Sequence, residues 1–171
     1  LHPAEGYRHG DDVMKELVQM LKENGMTIGS CESLTAGLFT SRMAEVPGAS
    51  AVLKGGIVTY HTQIKETVAQ VSHEVIRDHG VISAECAREM AEHVRRLLDV
   101  DLCVSFTGNA GPDCMEGKPA GTVYCALAAE GGCETWHFHF AHASRNAVRS
   151  RVVDEMVLRI KSYLNEGQGN E

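Results

Sequence analysis

The apolar residues of the chain recur with helical spacing in some stretches and in continuous runs in others. Apolar positions three and four residues apart predict an amphipathic helix with Asp11 or Asp12 as its N-cap and Gly25 at its end. The same spacing predicts a second helix after Ser83, a residue that serves well as an N-cap. The apolar faces are Val13, Leu17, Met20 and Leu21 in the first helix, and Ala87, Met90, Ala91, Val94, Leu97 and Leu98 in the second.

Short continuous apolar runs predict the strands, because a strand buried on both faces has no polar side. The runs are MTIGSC at 26–31, AVLKGGIVTY at 51–60 with a double-glycine kink, DLCVSFT at 101–107, TVYCALAA at 122–129 and ETWHFHFA at 134–141. Gly131 and Gly132 lie between the last two runs and predict a hairpin.

Further helices are predicted between and after these strands. They cover LTAGLFTSRMAEV at 34–46, closed by Pro47-Gly48, IKETVAQV at 64–71, and the stretch from about Asn146 to Leu164. Strands alternate with helices in the first two thirds of the chain, and the hairpin comes late. The sequence therefore predicts an α/β fold, a three-layer α/β/α domain with a mixed central sheet.

The length of 171 residues is that of one domain with its own hydrophobic core. We expect a tail or linker over residues 1–10, one domain over 11–164 and a flexible tail over 165–171. The net charge of −7 and the 5% of aromatic residues argue against direct binding of nucleic acid. A small anionic ligand stays compatible with this charge, because a local pocket can be positive. No apolar run approaches the roughly 20 residues of a membrane-spanning helix, so no membrane partner is expected.

The six cysteines include no C-x-x-C pair, which excludes the zinc-ribbon and thioredoxin patterns. Cys31, Cys103 and Cys125 lie inside apolar runs, where a free thiol acts as a small hydrophobic group. We therefore expect reduced thiols and a cytoplasmic protein. The chain starts at Leu1 rather than Met, which suits a piece of a longer protein.

The first stretch that can carry chemistry is SCESLTAG at 30–37. Ser33 follows a strand and is predicted to open a helix, so its hydroxyl would face the free N–H groups and the positive end of that helix. This placement suits a nucleophile as well as an oxyanion or phosphate site. By local sequence alone a plain N-cap is the favoured interpretation of Ser33. No G-x-S-x-G elbow indicates an α/β-hydrolase.

The second stretch is TYHTQIK at 59–65, where Tyr60 ends a strand and Lys65 lies about one helical turn beyond. A lysine whose pKa is lowered by burial can accept the proton of a serine hydroxyl and so activate it. The alternative is an exposed lysine at the start of a solvated helix, and composition does not decide between the two.

The third stretch is TGNAGP at 107–112, which follows the most apolar strand of the chain. In an open α/β sheet, ligands bind at the carboxyl ends of the strands. Gly108, Asn109, Ala110 and Gly111 are therefore predicted to bring backbone N–H groups close to an anion. The stretch is neither a Walker A loop nor a G-x-G-x-x-G fingerprint.

Two sets of basic residues lie near the end of the chain. Arg145 and Arg149 are spaced i,i+4 and share one helix face, which suits a phosphate about as well as it suits a solvated surface. His137, His139 and His142 accompany a strand rich in aromatic residues. We expect the aromatic side chains to face the core and the histidines to face water or a partner, and we assign no metal to them.

The motifs CESLTAG, GGIVTY, HGVIS, TGNAGPD and KPAGTVY together resemble, in order and separation, the C-terminal domain family of the competence/damage-inducible protein CinA. The resemblance covers roughly residues 11 to 162. It implies hydrolysis of the carboxamide of nicotinamide mononucleotide to nicotinate mononucleotide and ammonia, in pyridine-nucleotide salvage and without a cofactor. Ser33 matches the family serine and Lys65 the family lysine. Tyr60 matches the tyrosine that ends the preceding strand, and Thr107 opens the glycine-rich loop.

The chemistry that the resemblance implies begins with attack of Ser33 on the amide carbon. Lys65 would act as general base and later as proton donor to ammonia. Backbone N–H groups of the Thr35–Gly37 turn are expected to hold the oxyanion. Tyr60 or Thr107 would orient the lysine or the amide.

The ribose phosphate would bind the GNAGP loop, or Arg145 together with Arg149. Two positions depart from the family pattern A-E-S-x-T-G-G, because Cys31 stands where alanine is usual and Ala36 stands where the first glycine is usual. If the second position needs a positive φ, we expect Ala36 to strain the turn.

Two other functions fit the resemblance. One is a non-catalytic module for protein association, linked to competence, to the response to DNA damage or to dimerisation of a larger CinA chain. The other is an amidase for a different small carboxamide. We also expect a homo-oligomer, in the simplest case a dimer, with the strand edge near WHFHF as its contact. The full CinA architecture has a further N-terminal domain, which would be another partner.

Overall fold

A computed structural model describes residues 9–168. Its strands are β1 Ile28–Glu32, β2 Leu53–Val58, β3 Leu102–Gly108, β4 Thr122–Ala129 and β5 Gly132–His139. Its α-helices are α1 His9–Glu23, α2 Leu38–Ala44, α3 Thr62–Thr67, α4 His73–His79, α5 Ala84–Leu98 and α6 Arg145–Gln168. A single turn of 3-10 helix covers Ala49–Ala51.

The five strands form one sheet in the order β2-β1-β3-β4-β5. Strands β2, β1 and β3 are parallel, whereas β4 and β5 run antiparallel to their neighbours. Apolar side chains of α1, α2 and α6 pack on one face of the sheet, and those of α5 pack on the other. This arrangement confirms the predicted three-layer α/β/α domain with a mixed sheet. The carboxyl ends of the three parallel strands meet at one edge, where ligands bind in such sheets.

Helix α2 is shorter than the helix predicted over 34–46, because residues 34–37 form a turn instead. Ala36 and Gly37 have φ values of 48° and 94°, which a right-handed helix does not allow. Helix α3 begins earlier than predicted, since the Nδ1 atom of His61 accepts a hydrogen bond from the Gln63 N–H at 3.1 Å and caps it. Helix α4, capped by Ser72, was not predicted, because it is short and buries none of its side chains.

The ends of the chain also differ from the expectation. Helix α1 begins at His9, so Asp11 and Asp12 lie within it and do not cap it. Helix α6 continues to Gln168, past the predicted start of a flexible tail at residue 165. Residues 1–8 and 169–171, which hold the rest of the predicted tails, lie outside the described part of the chain.

The predicted hairpin is confirmed, with Glu130 and Gly131 as the two residues between β4 and β5. Trp136 and Phe138 pack against the core, whereas His137 and His139 are exposed, as the alternation predicted. All six cysteines are free, and the side chains of Cys31, Cys86, Cys103 and Cys125 are buried. Among the residues described here, none of the helices combines the length and the apolar character needed to cross a bilayer.

Candidate functional site

A cavity lies at the carboxyl ends of the parallel strands and brings together residues from four of the predicted stretches. The predicted site residues that line it are Ser33, Tyr60, Lys65, Thr107, Gly108, Asn109, Ala110 and Arg145. Its apolar wall consists of Leu34, Val81, Ile82 and Met115, none of which was predicted as a site residue. The predicted site residues that do not line it are Thr35, Ala36, Gly37, Gly111 and Arg149.

Ser33 lies at the end of the central strand, where its backbone N–H bonds to the Phe106 carbonyl of β3 at 2.9 Å. It does not cap a helix, because α2 starts only at Leu38. The prediction that its hydroxyl faces the free N–H groups of a helix is therefore wrong. Within residues 9–168 the Ser33 hydroxyl makes no hydrogen bond, so it is free to face a ligand in the cavity.

The first N–H groups of α2 are taken by Glu32, a carboxylate with only 1% of its surface exposed. Its Oε1 atom accepts from the Phe39 N–H at 3.0 Å, and its Oε2 atom accepts from the Thr40 N–H at 3.1 Å. The hydroxyls of Thr40 and Ser30 donate to Oε2 as well, at 2.7 and 3.1 Å. Glu32 thus fixes α2 relative to the strand that carries Ser33. Sequence reasoning missed it, although a carboxylate at the end of a buried strand must find hydrogen-bond donors.

The turn after Ser33 keeps only part of its predicted set of oxyanion donors. The Ala36 N–H is used, because it donates to the Ser33 carbonyl at 3.0 Å. The N–H groups of Leu34, Thr35 and Gly37 have no acceptor within the residues that the structure describes. The φ of 48° at Ala36 confirms that this position needs a left-handed backbone, where alanine is strained relative to glycine.

Lys65 is buried, with 2% of its surface exposed, so the alternative of a solvated lysine is wrong. Its Nζ atom donates to the carbonyls of Thr59 and Tyr60, at 2.8 and 2.9 Å. Burial lowers its pKa from the usual 10.5. Negative charge on Cys86, Cys31 and Glu116 would oppose this shift in the pKa of Lys65.

The two thiols near Lys65 carry no charge at neutral pH, because burial raises the pKa of Cys31 and of Cys86 to about 12. Of the three opposing groups, only the Glu116 carboxylate therefore acts on Lys65 at neutral pH. Neither thiol lines the cavity, whereas Ser33 does, so Ser33 is the candidate nucleophile of this site.

Tyr60 and Thr107 are held differently from the prediction. The carbonyl of Tyr60, not its hydroxyl, binds Lys65, and the hydroxyl accepts from Arg145 at 2.7 Å. The Thr107 hydroxyl donates to the Val81 carbonyl at 2.7 Å and so does not orient Lys65. Because its proton is used there, the Thr107 oxygen faces the cavity as an acceptor only.

The glycine-rich loop after β3 uses its donors internally. The Asn109 N–H bonds to the Thr122 carbonyl at 2.8 Å, and the Gly111 N–H bonds to the Asn109 Oδ1 atom at 2.9 Å. A Cβ atom at Gly108 would lie 2.5 Å from the Thr122 carbonyl, so this glycine permits close packing on β4. The prediction that the loop offers a row of N–H groups to an anion is therefore not supported, and the loop forms a wall of the cavity.

The two arginines of α6 have separate roles. Arg145 donates from Nη2 to the Tyr60 hydroxyl and from Nη1 to the Gly111 carbonyl at 2.5 Å, and it lines the cavity. Arg149 donates to the carbonyls of Leu34 and Thr35 and does not reach the cavity. Only Arg145 is therefore placed to meet a ligand.

Within residues 9–168, the structure brings together no cluster of three His, Cys, Asp or Glu side chains that could hold a metal ion. The polar groups that line the cavity include the hydroxyls of Ser33 and Thr107, the amine of Lys65 and the guanidinium of Arg145.

The chain is similar to known proteins over most of its length. A competence-damage inducible protein of Listeria monocytogenes serotype 4a is 47% identical to this chain over 161 residues. The match covers 93% of this chain and 39% of that protein. A competence-damage inducible protein of Lacticaseibacillus casei is 46% identical over 149 residues, covering 86% of this chain and 36% of the relative. The chain thus spans well under half the length of these curated relatives.

Solved structures of the same superfamily have the same fold. A CinA superfamily protein from Klebsiella pneumoniae is 26% identical, with a TM-score of 0.90, covering 93% of this chain and 99% of that chain. A competence/damage inducible protein, CihA, from Agrobacterium tumefaciens is 27% identical, with a TM-score of 0.85, covering 91% and 94%. The model of the family described as the CinA C-terminal domain matches residues 10–164. The chain therefore belongs to the CinA C-terminal domain family.

Proposed function

We propose that this domain is an amidohydrolase that converts nicotinamide mononucleotide to nicotinate mononucleotide and ammonia. The observation that carries the proposal is a buried lysine of lowered pKa that lines the same cavity as an unbonded serine hydroxyl. A neutral lysine amine has two N–H donors and one lone pair. The carbonyls of Thr59 and Tyr60 can bind both donors of Lys65, which leaves the lone pair to accept a proton.

In the first half of the reaction, the Ser33 oxygen attacks the amide carbon and its proton passes to Lys65. The two groups are not hydrogen bonded within the described structure, and such contacts commonly tighten only in the Michaelis complex. Lys65 then gives the proton to the departing nitrogen. The C–N bond breaks, ammonia leaves, and an ester links the nicotinate carbonyl to Ser33.

In the second half, water attacks the ester carbon and gives its proton to Lys65. The C–O bond to Ser33 breaks, and Lys65 returns the proton to the serine oxygen. The Leu34 N–H is the candidate donor to the oxyanion in both halves, because Leu34 lines the cavity and its N–H has no acceptor among the described residues. The Thr107 oxygen, an acceptor only, suits the N–H groups of the substrate carboxamide.

Arg145 is the group that we assign to the substrate phosphate. Two of its five N–H donors bind Tyr60 and Gly111, and the remaining three are available to an anion at the rim of the cavity. Arg145→Ala should therefore weaken binding of nicotinamide mononucleotide much more than binding of nicotinamide riboside, which lacks the phosphate. Equal weakening of both would contradict this assignment.

The direct test is to incubate the protein with nicotinamide mononucleotide and to assay both ammonia and the acid product. Lys65→Met should remove at least about 100-fold of the rate, the usual contribution of a general base. Lys15→Met, which changes an exposed lysine of α1, is the matched control and should leave the rate unchanged. If neither the nucleotide nor a panel of small carboxamides is hydrolysed, the proposed function is wrong, and a role in protein association is favoured.

A further inference from the structure

The turn that follows the candidate nucleophile is held by a residue of a distant helix. The Nε atom of Arg149 in α6 donates to the Leu34 carbonyl at 2.8 Å, and its Nη2 atom donates to the Thr35 carbonyl at 3.1 Å. The Nη1 atom donates to the Asn146 Oδ1 atom at 3.1 Å, which fixes the guanidinium on its own helix. A planar guanidinium can bridge two carbonyls in this way, and a lysine ammonium cannot match its fork of donors.

This contact is related to the proposed oxyanion donor through the backbone of Leu34, which lines the cavity. The Leu34 N–H belongs to the planar peptide that carries the Ser33 carbonyl, and the Leu34 carbonyl belongs to the next peptide. The Ala36 N–H holds the Ser33 carbonyl at 3.0 Å, and Arg149 holds the Leu34 carbonyl at 2.8 Å. Holding both peptides fixes the direction of the Leu34 N–H.

The turn needs such support because its own backbone is strained. Ala36 has a left-handed φ of 48°, which alanine adopts at a cost that glycine does not have. Within the turn, the Ala36 N–H bonds to the Ser33 carbonyl at 3.0 Å, and the Leu38 N–H bonds to the Thr35 carbonyl at 3.0 Å. Glu32 anchors only the far side of the turn, at the start of α2.

We propose that Arg149 is a positioning residue, which holds the turn after Ser33 so that the Leu34 N–H is fixed as an oxyanion donor. The proposal rests on the proposed amidohydrolase function for its catalytic consequence, but its structural part does not. Arg149 does not line the cavity, so it acts through the backbone of the turn and not on the substrate phosphate.

The first measurement is amide hydrogen exchange in Arg149→Ala and in Arg151→Ala. Arg151 is an exposed residue of the same helix and provides the matched control. We expect exchange of the Ala36 and Leu38 amides to become at least about 10-fold faster in Arg149→Ala only, because local opening of the turn becomes easier. Unchanged exchange at these amides would overturn the proposal whether or not the protein is an amidase.

The second measurement is the kinetics of carboxamide hydrolysis by the same variants. Arg149→Ala should lower kcat by about 100-fold, as a small displacement of reacting groups does, and should change KM only slightly. Arg149→Lys should recover part of kcat, and millimolar guanidinium should do the same for Arg149→Ala. The pH profile should keep its shape, since Lys65 is not affected.

The outcomes separate the two proposals. Faster exchange with an unchanged kcat would overturn the positioning role, and so would a raised KM with an unchanged kcat, which would indicate a direct contact with the nucleotide. If the parent protein hydrolyses no carboxamide, the amidohydrolase proposal fails, and the exchange result alone then supports or rejects the role of Arg149 as a clamp on the turn.

Discussion

The turn at residues 34–37 and the loop at residues 108–111 lie at the same end of the sheet and are supported through different backbone groups. Each follows a buried parallel strand and is rich in small residues. The turn is held through carbonyls, since those of Leu34 and Thr35 accept from Arg149, and Glu32 holds the start of α2 behind it. In the loop, N–H groups are used as well, since those of Asn109 and Gly111 bond to the Thr122 carbonyl and to the Asn109 side chain, and the Gly111 carbonyl accepts from Arg145.

The difference decides which of the two can bind a developing negative charge. Support through its carbonyls leaves the Leu34 and Gly37 N–H groups of the turn without acceptors among the described residues, whereas the Asn109 and Gly111 N–H groups of the loop are used. Small residues after a strand are therefore not enough to indicate an anion site. Whether such a segment can bind an anion depends on how many of its N–H groups the rest of the fold leaves free.

Among changes to the supports of the turn and the loop, the largest effect is expected from Glu32→Gln, which weakens the hold on α2 behind the turn. The amide keeps one acceptor oxygen, and its NH2 group faces N–H or O–H donors that the carboxylate accepted. We expect a loss of about 2–3 kcal/mol in the free energy of unfolding, measured in urea. The rate of carboxamide hydrolysis should fall by about 100-fold. Glu45→Gln, at an exposed position after α2, is the control, and equal behaviour of the two variants would contradict this role.

A smaller effect on stability and on kcat is expected from Gly111→Ala, which disturbs the backbone of the loop. Gly111 has a φ of 90°, and a Cβ atom there would lie 2.8 Å from the Ala120 Cβ atom. The substitution should cost about 1–3 kcal/mol of unfolding free energy, while kcat falls less than in Glu32→Gln. Gly117→Ala is the control that separates backbone strain from steric clash. Its φ is 70°, which strains an alanine, but no described atom lies within 4 Å of the added Cβ. A larger loss of kcat in Gly111→Ala than in Glu32→Gln would reverse the comparison.

The pH dependence of kcat/KM should report on Lys65 and on the segment that follows the loop. A general base must be neutral, so kcat/KM should rise with pH along a limb whose pKa lies below the usual 10.5 of lysine. Glu116 lies in the segment after the loop, and its charge raises the pKa of Lys65. Glu116→Gln should therefore move the limb to lower pH. Glu130→Gln, in the hairpin turn, should not move it, and a limb that shifts upward in Glu116→Gln would contradict the account.

The lowered pKa of Lys65 also makes the free energy of unfolding depend on pH. Because burial lowers the folded-state pKa of Lys65, the unfolded chain binds more protons between that pKa and 10.5. The free energy of unfolding should rise with pH across this window. Lys65→Met removes the titrating group and should remove the rise.

The smallest effect is expected from Ala36→Gly, which restores the residue that the family pattern has in the turn. Relief of the left-handed strain stabilises the folded state by roughly 1 kcal/mol, and the greater freedom of glycine in the unfolded chain offsets much of this. The net change in unfolding free energy should stay within about 1 kcal/mol. A loss of kcat above about 10-fold would mean that the strain itself positions the turn.

Much of the fold followed from local patterns. Buried apolar runs gave the strands, and the late hairpin gave the antiparallel edge of the sheet. The turn at 34–37 was predicted to be helical, because the left-handed conformations of Ala36 and Gly37 leave no trace in the apolar spacing. Helix α4 was missed for a related reason, since a helix without buried residues has no apolar periodicity.

The candidate site could be predicted only in part. The motifs named Ser33, Lys65 and Arg145, and the structure brings all three to one cavity. Glu32 and Arg149 act through contacts with Phe39 and Leu34, and the second of these joins residues more than a hundred positions apart. No pattern in a single sequence encodes such a contact, so Arg149 was predicted to bind the substrate phosphate instead.

The central claim is that Ser33 attacks a carboxamide, and one comparison tests it most directly. Ammonia release from nicotinamide mononucleotide is measured for Ser33→Ala and for Ser41→Ala, which changes an exposed serine of α2. We expect Ser33→Ala to lose at least about 1,000-fold of the rate, and Ser41→Ala to match the parent protein. Substantial ammonia release by Ser33→Ala, at a rate near that of Ser41→Ala, would contradict the account.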